Sequence, residues 1–273
     1  MSQDYFSYND GKGIIKPGDF RISPSQISRF FDDTNRWYRE FLLGEAGFQG
    51  STATELGNVV HAAAAMYIDS KSVDRQQLIN HVNSIKNPEI DKSVINSQYQ
   101  VMIETLINGY LSENVGTNSE EFIWKEIYPG IGVGGSVDMY NANTHKITDF
   151  KTMGSLDKAR LPSKFPRAYW FQQLVYAWVT IQNGRPVDFI ELAYVTRSNV
   201  NRTNDKGKPL KDYPSVVHVI REAVTAESLA LIESVIYLIA DSVKTWQTQP
   251  ELRYLLAQDY RLKQPPAAVL FKD

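Results

Sequence analysis

Two acids and one lysine lie close together in the stretch from Gly135 to Lys151, which contains Asp138, Asp149 and Lys151. The segments on either side of its centre alternate small or polar residues with apolar ones, a pattern typical of β-strands. Between them, Asn141 to Thr144 has the residue types of a turn. The stretch is therefore predicted to be a β-hairpin.

The register of this hairpin decides what its charged residues can do. If the hairpin is symmetric about the Asn143–Thr144 bond, Asp138 lies opposite Asp149, with their Cβ atoms roughly 4.5–5.5 Å apart. Like charges opposed in this way destabilise a sheet. A hard divalent cation would compensate them, because it prefers oxygen ligands. Taken alone, the hairpin is better explained as a solvated face with an ordinary contact between Lys151 and an aspartate.

Composition limits the classes of function. The chain has 273 residues, 42% of them hydrophobic and 22% charged, which is typical of a globular protein. The net charge is −2, so a nucleic-acid partner would have to bind to local basic patches. The absence of cysteine excludes disulfides, zinc–thiolate sites, iron–sulfur clusters and cysteine nucleophiles. With neither a signal peptide nor an apolar run of roughly 20 residues, we expect a soluble, cytoplasmic protein without membrane contact.

The hairpin is expected to lie inside a single α/β domain over residues 21–249. Its helical part covers about 21–118, and its sheet and remaining helices cover about 119–249. Residues 1–20 are expected to form a flexible arm, and residues 250–273 a tail. The predicted strands outside the hairpin span 121–128, 187–195 and 215–221. The predicted helices span 23–44 with an interruption near Asp33, then 54–69, 73–85, 91–113, 168–183 and 225–247.

Further candidate residues lie on these predicted elements. Gly57 and His61 are four residues apart on one helix face, and a glycine inside a helix, which costs about 1 kcal/mol relative to alanine, suggests close approach of another backbone. Glu126 lies on the strand before the hairpin. Gln172 and Tyr176 share a face of the helix that follows it. Each has an ordinary alternative, namely a structural histidine, a solvent-facing glutamate and a helix flank.

In chain order these residues form five short motifs: Gly57-x-x-x-His61, Glu126, Gly135-x-x-Asp138, Asp149-x-Lys151-Thr152 and Gln172-x-x-x-Tyr176. Over about residues 21–196, their order and spacing resemble the RecB-type branch of the PD-(D/E)XK nuclease superfamily. That branch includes the RecB nuclease domain, a CRISPR-associated adaptation exonuclease and RecE-like phage exonucleases. The first predicted helix, SPSQISRFFDDTNRWYREFLLG, is similar to the opening helix of the branch.

Two departures from the branch limit what the resemblance implies. Some members hold an iron–sulfur cluster on four cysteines, and the lack of cysteine excludes that cluster here. Many members place an acid four residues after the histidine, where this chain has Ala65.

The resemblance implies a restriction-endonuclease-like fold, with a mixed β-sheet core flanked by helices and an N-terminal helical subregion. It implies one or two Mg²⁺ or Mn²⁺ ions held by His61, Asp138 and Asp149, with Glu126 as a further acid. The histidine nitrogen would suit Mn²⁺ better than Mg²⁺. Lys151 would position water or stabilise phosphate charge. In the same way, Gln172 and Tyr176 would face the site or the DNA.

The function that the resemblance implies is a metal-dependent DNA exonuclease of recombination, repair or phage DNA metabolism. The alternative is a catalytically inactive nuclease-fold subunit that binds DNA or assembles a complex. A single-strand annealing protein, a helicase or further copies of this chain are compatible partners besides DNA. Phosphate contacts are expected from Arg29 and Arg36, which could equally be solvated surface arginines. They are also expected from Lys158, Arg160 and Lys164.

Overall fold

The computed structural model describes residues 4–6, 11, 13–45, 50–114, 116–154, 160–201, 203, 206–249 and 252. At its centre is a mixed sheet of six strands: β1 (Phe20–Ile22), β2 (Asn118–Tyr128), β3 (Ile131–Asn141), β4 (Lys146–Met153), β5 (Phe189–Thr196) and β6 (Val217–Ala223). The strand order is β1-β3-β4-β5-β6, and β2 pairs with β3 as well.

Strand β3 is paired unevenly along its two edges. Antiparallel β2 runs along nearly the whole of one edge. On the other edge, β1 pairs in parallel with Ile131–Val133, and β4 pairs in antiparallel fashion with Met139–Asn141 only. Residues 134–138 therefore have no strand partner on that edge within the described part of the chain. A gap opens in the sheet where β3 and β4 diverge.

Helices cover both faces of the sheet: α1 (Ile27–Asp32), α2 (Thr34–Phe41), α3 (Thr52–Ser70), α4 (Arg75–Ser84), α5 (Lys92–Leu106), α6 (Ser112–Asn114), α7 (Arg167–Gln182) and α8 (Ala226–Thr248). One core joins α1, α2, α7 and α8 to one face of the sheet. A second core packs α3, α4 and α5 against the other face, where it includes Met139 and Phe150. The gap in the sheet therefore lies between helix α7 on one face and helix α3 on the other.

The structure confirms the predicted α/β class, with a mixed sheet flanked by helices. The interruption near Asp33 separates α1 from α2, because the Asp33 side chain accepts a hydrogen bond from the Arg36 backbone N–H and so caps α2. Strand β1 was not expected; it includes the last residue of the predicted arm and the two residues before the predicted helix. Among the described residues, no helix is long and apolar enough to cross a bilayer.

The expected terminal segments are only partly described. In the arm expected over residues 1–20, the Tyr5 hydroxyl donates to Asp69, and Tyr5 and Phe6 pack against the second core. These described arm residues therefore contact the folded part of the chain. The tail expected over residues 250–273 lies outside the described residues, apart from Leu252, which packs against the first core.

Candidate metal centre

Asp138 lies at the point where β3 and β4 separate. The ladder pairs Met139 with Thr148 and Tyr140 with Ile147, which is the predicted register and places Asp138 opposite Asp149. Pairing stops before these two acids. Instead, Asp138 Oδ2 accepts a hydrogen bond of 2.8 Å from the Phe150 backbone N–H. The carboxylate thus links the strands where their backbones no longer pair.

Glu120 lies next to Asp138 on β2, the neighbouring strand on the side away from β4. On β2 and β3, Ser119 pairs with Met139 and Glu121 pairs with Val137, so Glu120 lies opposite Asp138. Its backbone φ is 45°, a left-handed conformation uncommon for residues other than glycine. Glu120, Asp138 and Asp149 therefore lie side by side on three neighbouring strands.

Helix α3 brings a nitrogen donor to these acids. His61 Nδ1 lies 3.3 Å from Asp138 Oδ2, and the His61 side chain is 26% exposed. One donor atom from each of His61, Glu120 and Asp138 lies within 4.8 Å of the others. The His61 ring also packs edge-on against Phe150, 6.2 Å between centroids. A nitrogen and two carboxylates on a half-buried surface form a donor set suited to a divalent cation.

Asp149 lies beside this group of three rather than within it. Its Oδ2 is 2.6 Å from Lys151 Nζ. Its Oδ1 accepts a hydrogen bond of 3.1 Å from Gln172 Nε2 on α7. Lys151 Nζ also lies 4.8 Å from the centre of the Tyr169 ring. Asp149 is almost fully buried, whereas 20% of the Lys151 side chain stays exposed.

Tyr176, one helical turn after Gln172, forms the inner wall of the site. Burial and the charges of Asp138 and Asp149 raise its pKa well above the usual value, so the phenol keeps its proton. A Cβ atom at Gly135 would lie 3.3 Å from Pro24 Cδ and 3.4 Å from Tyr176 Oη. Glycine at this position lets the ring pack close to β3.

The electrostatics of the site favour an added cation. Burial opposes a charge on His61, but the charge of Asp138 and the hydrogen bond to it raise the pKa of His61 to about 9. Burial also opposes the charge on Asp138, yet His61 holds the pKa of that carboxyl below its usual value. Burial and the charge of Asp138 raise the pKa of Glu120 to about 8. Burial raises the pKa of Asp149 to about 6, although Lys151 opposes the shift. Three carboxyl groups therefore lie beside one imidazole and one ammonium group, and the raised pKa values of Glu120 and Asp149 show that a further cation would stabilise their ionised forms.

The structure brings together six of the residues chosen from the sequence: His61, Asp138, Asp149, Lys151, Gln172 and Tyr176. It does not bring Glu126 to them. Glu126 pairs with Gly132 in the ladder, and its Oε1 accepts a hydrogen bond of 3.2 Å from the Gly130 backbone N–H at the β2–β3 turn. The strand acid in the cluster is Glu120, six residues earlier in the chain.

The sequence holds a partial signal for Glu120. Pro129 and Gly130 mark the β2–β3 turn, and a hairpin symmetric about them would place Glu121 opposite Asp138. The register shifts by one residue between Glu126 and Tyr128, at a β-bulge. That shift moves Glu120 into the position that Glu121 would otherwise hold.

Gly57 was expected to allow the close approach of another backbone segment to the helix, and this expectation is wrong. A Cβ atom there would lie 3.5 Å from the side-chain hydroxyl of Thr152, which is an ordinary contact, so no other backbone requires a glycine at this position.

The predicted phosphate-binding residues lie in different environments. Arg29 and Arg36 both pair with Glu40, each at 2.6 Å. Arg160 and Lys164 are exposed, and Lys158 lies outside the described residues.

Several solved structures are similar to this chain. An exonuclease candidate from Eubacterium rectale is 16% identical, with a TM-score of 0.55 over 90% of this chain and 86% of its own. A phage-related exonuclease from Haemophilus somnus is 10% identical, with a TM-score of 0.39 over 82% of this chain and 93% of its own. An alkaline exonuclease from Laribacter hongkongensis is 13% identical, with a TM-score of 0.36 over 76% of this chain and 100% of its own. Among curated proteins, no sequence matches this chain.

The family match covers most of the sheet and the whole site. Residues 23–202 match the family described as "PDDEXK-like domain of unknown function (DUF3799)". They include His61, Glu120, Asp138, Asp149 and Lys151. Because the match spans well over half of the chain, this protein belongs to that family of PD-(D/E)XK-like domains.

Proposed function

We propose that this protein is a divalent-metal-dependent nuclease that hydrolyses phosphodiester bonds in DNA, starting from DNA ends. The observation that carries the proposal is the convergence of His61, Glu120 and Asp138 in a gap of the sheet, with the Asp149–Lys151 pair beside them. A purely structural cluster would be expected to close its charges off from solvent. Here a histidine and a lysine keep exposed side-chain surface next to buried acids.

The cation would be held by His61, Glu120 and Asp138, with Asp149 as a neighbouring carboxylate. The carboxylates suit Mg²⁺ and the imidazole suits Mn²⁺, so activity is expected with either ion. When bound, such an ion lowers the pKa of a coordinated water and stabilises charge on phosphate oxygens.

Lys151 is the residue placed to act on the phosphate or on the attacking water. Its ammonium group can donate hydrogen bonds beyond its contact with Asp149, because part of the side chain faces solvent. Asp149 holds the ammonium in place, and burial of Lys151 is outweighed by Asp149 and Asp138, which raise its pKa and keep it charged. Gln172 fixes the orientation of Asp149 by binding its other oxygen.

DNA as the substrate and action from ends are proposed from the resemblance and from the Eubacterium rectale relative, which is described as an exonuclease candidate. The biological processes that this activity would serve are recombination, repair or phage DNA metabolism. An annealing protein or a helicase is proposed as the partner protein. Arg160 and Lys164 are exposed cations on the connection between β4 and α7, and they are proposed to bind DNA phosphates.

The test compares end-labelled linear DNA with covalently closed circular DNA of the same sequence, in Mg²⁺, Mn²⁺ and EDTA. The wild type should degrade the linear DNA in either metal and leave the closed circle intact. Asp138→Asn and Asp149→Ala should lose this activity, whereas Glu126→Gln should keep it, because Glu126 lies at the turn and not in the cluster.

Three outcomes would change the conclusion. If the wild type cleaves neither single-stranded nor double-stranded ends in either metal, the catalytic proposal is wrong. Binding of DNA without cleavage would favour the inactive DNA-binding subunit instead. Equal cleavage of closed circular DNA would retain the nuclease but replace the exonuclease with an endonuclease.

A further inference from the structure

Helix α3 contacts the site at a second point besides His61. Asp69 follows His61 by about two helical turns, or about 12 Å along the axis. Asp69 Oδ1 accepts a hydrogen bond of 2.6 Å from the Ser119 hydroxyl. Ser119 is the residue directly before Glu120 on β2. One carboxylate therefore connects the helix that carries His61 to the strand that carries Glu120.

Glu120 is a residue whose backbone needs such support. Its φ of 45° is unfavourable for a side chain with a Cβ atom, and such conformations persist only where the surroundings impose them. On either side of Glu120, Ser119 pairs with Met139 and Glu121 pairs with Val137 of β3. Among the described strands, β2 has only β3 as a partner. The conformation of Glu120 therefore depends on the contacts that hold β2 on either side of it.

We propose that Asp69 is a positioning residue, whose hydrogen bond to Ser119 sets the placement of Glu120 relative to His61. The inference rests on the proposed metal site. His61 and Glu120 come from different elements, so their separation depends on how α3 is fixed against β2. A metal site requires its donor atoms within a few tenths of an ångström of their places, and hydrogen bonds outside the ligand set commonly supply that precision.

The hydrogen bond, and not the charge of Asp69, is the useful part of this contact. The contact joins one oxygen of Asp69 to the Ser119 hydroxyl, and an oxygen acceptor does not need a negative charge to form it. An asparagine at this position would keep an oxygen acceptor for Ser119. Asp69→Asn should consequently preserve the metal site, whereas Asp69→Ala should not.

The second oxygen of Asp69 offers an internal comparison. Asp69 Oδ2 accepts a hydrogen bond of 3.1 Å from the Tyr5 hydroxyl. Tyr5→Phe removes that bond but leaves the bond to Ser119. If Asp69 acts through Ser119, Tyr5→Phe should change metal binding much less than Ser119→Ala does.

The experiment is a calorimetric titration of the full-length protein with Mn²⁺ alone, without DNA. Asp69→Ala and Ser119→Ala should each weaken Mn²⁺ binding by about ten- to a hundred-fold. The double variant should be no weaker than either single variant, because both remove the same bond. Asp69→Asn should bind within about threefold of the wild type, a margin set by the context dependence of such contacts. Glu104→Ala is the matched control, since Glu104 pairs with Arg75 on the surface.

Cleavage of linear DNA provides a second measurement. In Asp69→Ala, the Mn²⁺ concentration that gives half-maximal rate should rise by a similar factor. The rate at saturating Mn²⁺ should recover to near that of the wild type. A general loss of folding would instead lower the rate at every metal concentration, and thermal unfolding of each variant separates the two effects. Ser119→Ala, a small change, provides the same test if Asp69→Ala does not fold.

The outcomes distinguish this inference from the proposed function. If the wild type binds Mn²⁺ and Asp69→Ala and Ser119→Ala bind it equally well, Asp69 does not position the site, while the metal centre stands. Equal weakening in Asp69→Asn and Asp69→Ala would show that the charge matters and would overturn the hydrogen-bond mechanism. If the wild type binds no Mn²⁺, the metal centre itself is wrong and this inference fails with it.

Discussion

Glu120→Gln should stabilise the metal-free protein and weaken its metal binding at the same time. Glu120 lies opposite Asp138 on the neighbouring strand, where burial and the charge of Asp138 raise its pKa from 4.5 to about 8. An acid whose pKa is raised by folding makes the folded state less stable as pH rises from the unfolded value to the folded value. Glutamine keeps the shape of the protonated acid but cannot ionise in either state.

The size of the effect follows from this pKa shift. At pH 7 the unfolded chain has released the proton of Glu120, whereas the folded protein still holds it. Each pH unit between 4.5 and 7 costs the folded wild type about 1.4 kcal/mol, so the total is about 3 kcal/mol. Glu120→Gln should remove this cost at pH 7. Near pH 4 the two proteins should be almost equally stable, because Glu120 is then protonated in both states.

Urea denaturation in EDTA at a series of pH values measures the difference in unfolding free energy. The same experiment in excess Mn²⁺ should reduce or reverse the difference, because an ion that binds only the folded state stabilises the wild type by mass action. Glu126→Gln is the control on the same strand. Its side chain accepts from the Gly130 N–H at the turn, where a glutamine oxygen can accept the same bond, so the substitution should not change the response to Mn²⁺.

Two results would contradict this reasoning. If Glu120→Gln is no more stable than the wild type at pH 7 in EDTA, Glu120 is not the strained, buried acid that the site requires. If Mn²⁺ stabilises both proteins equally, Glu120 does not bind the ion.

Three further predictions test the surroundings of the site. Lys151→Ala should lower the cleavage rate by at least about a hundred-fold and change DNA affinity little, as measured by single-turnover cleavage and by DNA binding in EDTA. Glu191→Ala should lower the unfolding free energy in urea by about 3–5 kcal/mol, because it leaves Lys146, 5% exposed and 3.0 Å from Glu191, buried without its partner. Lys164→Ala should reduce the slope of log affinity against log salt by about one for duplex DNA. Arg36→Ala should change that slope less, because Arg36 is already paired with Glu40 at 2.6 Å.

The sequence predicted the hairpin register correctly for a physical reason. The turn at Asn141–Thr144 and the alternation on both sides of it specify one pairing, and the structure has that pairing in Tyr140–Ile147 and Met139–Thr148. His61 on α3 and Gln172 on α7 were chosen because their order and spacing resemble the nuclease motifs, and the structure places both side chains beside the acids. The helix from Thr52 to Ser70 also follows a strong local signal, with four consecutive alanines.

The features that the sequence did not predict are those in which the backbone departs from its regular pattern. The bulge between Glu126 and Tyr128 shifts the β2 register by one residue, so even a symmetric hairpin would place Glu121, and not Glu120, opposite Asp138. Glu126, the acid expected from the motif order, lies six residues from Glu120 at the other end of the strand. The left-handed φ of Glu120 cannot be predicted from its residue type, because glutamate rarely adopts this conformation. Strand β1, with only three residues, is too short for alternation to be recognised. Such departures are common at functional sites, where local rules are broken for a purpose.

Two lysine–acid pairs involving β4 show why residue type alone could not identify the site. Lys146 and Lys151 each have an acid within 3.0 Å, Glu191 and Asp149 respectively. Lys146 is 5% exposed and Glu191 is fully buried, and the second oxygen of Glu191 is 2.7 Å from Arg221. That pair is closed to solvent. Lys151 keeps 20% of its side chain exposed, because it lies on the strand edge that loses its backbone pairing. The gap in the sheet, which no local pattern encodes, therefore makes one pair accessible to a substrate and leaves the other as part of the core.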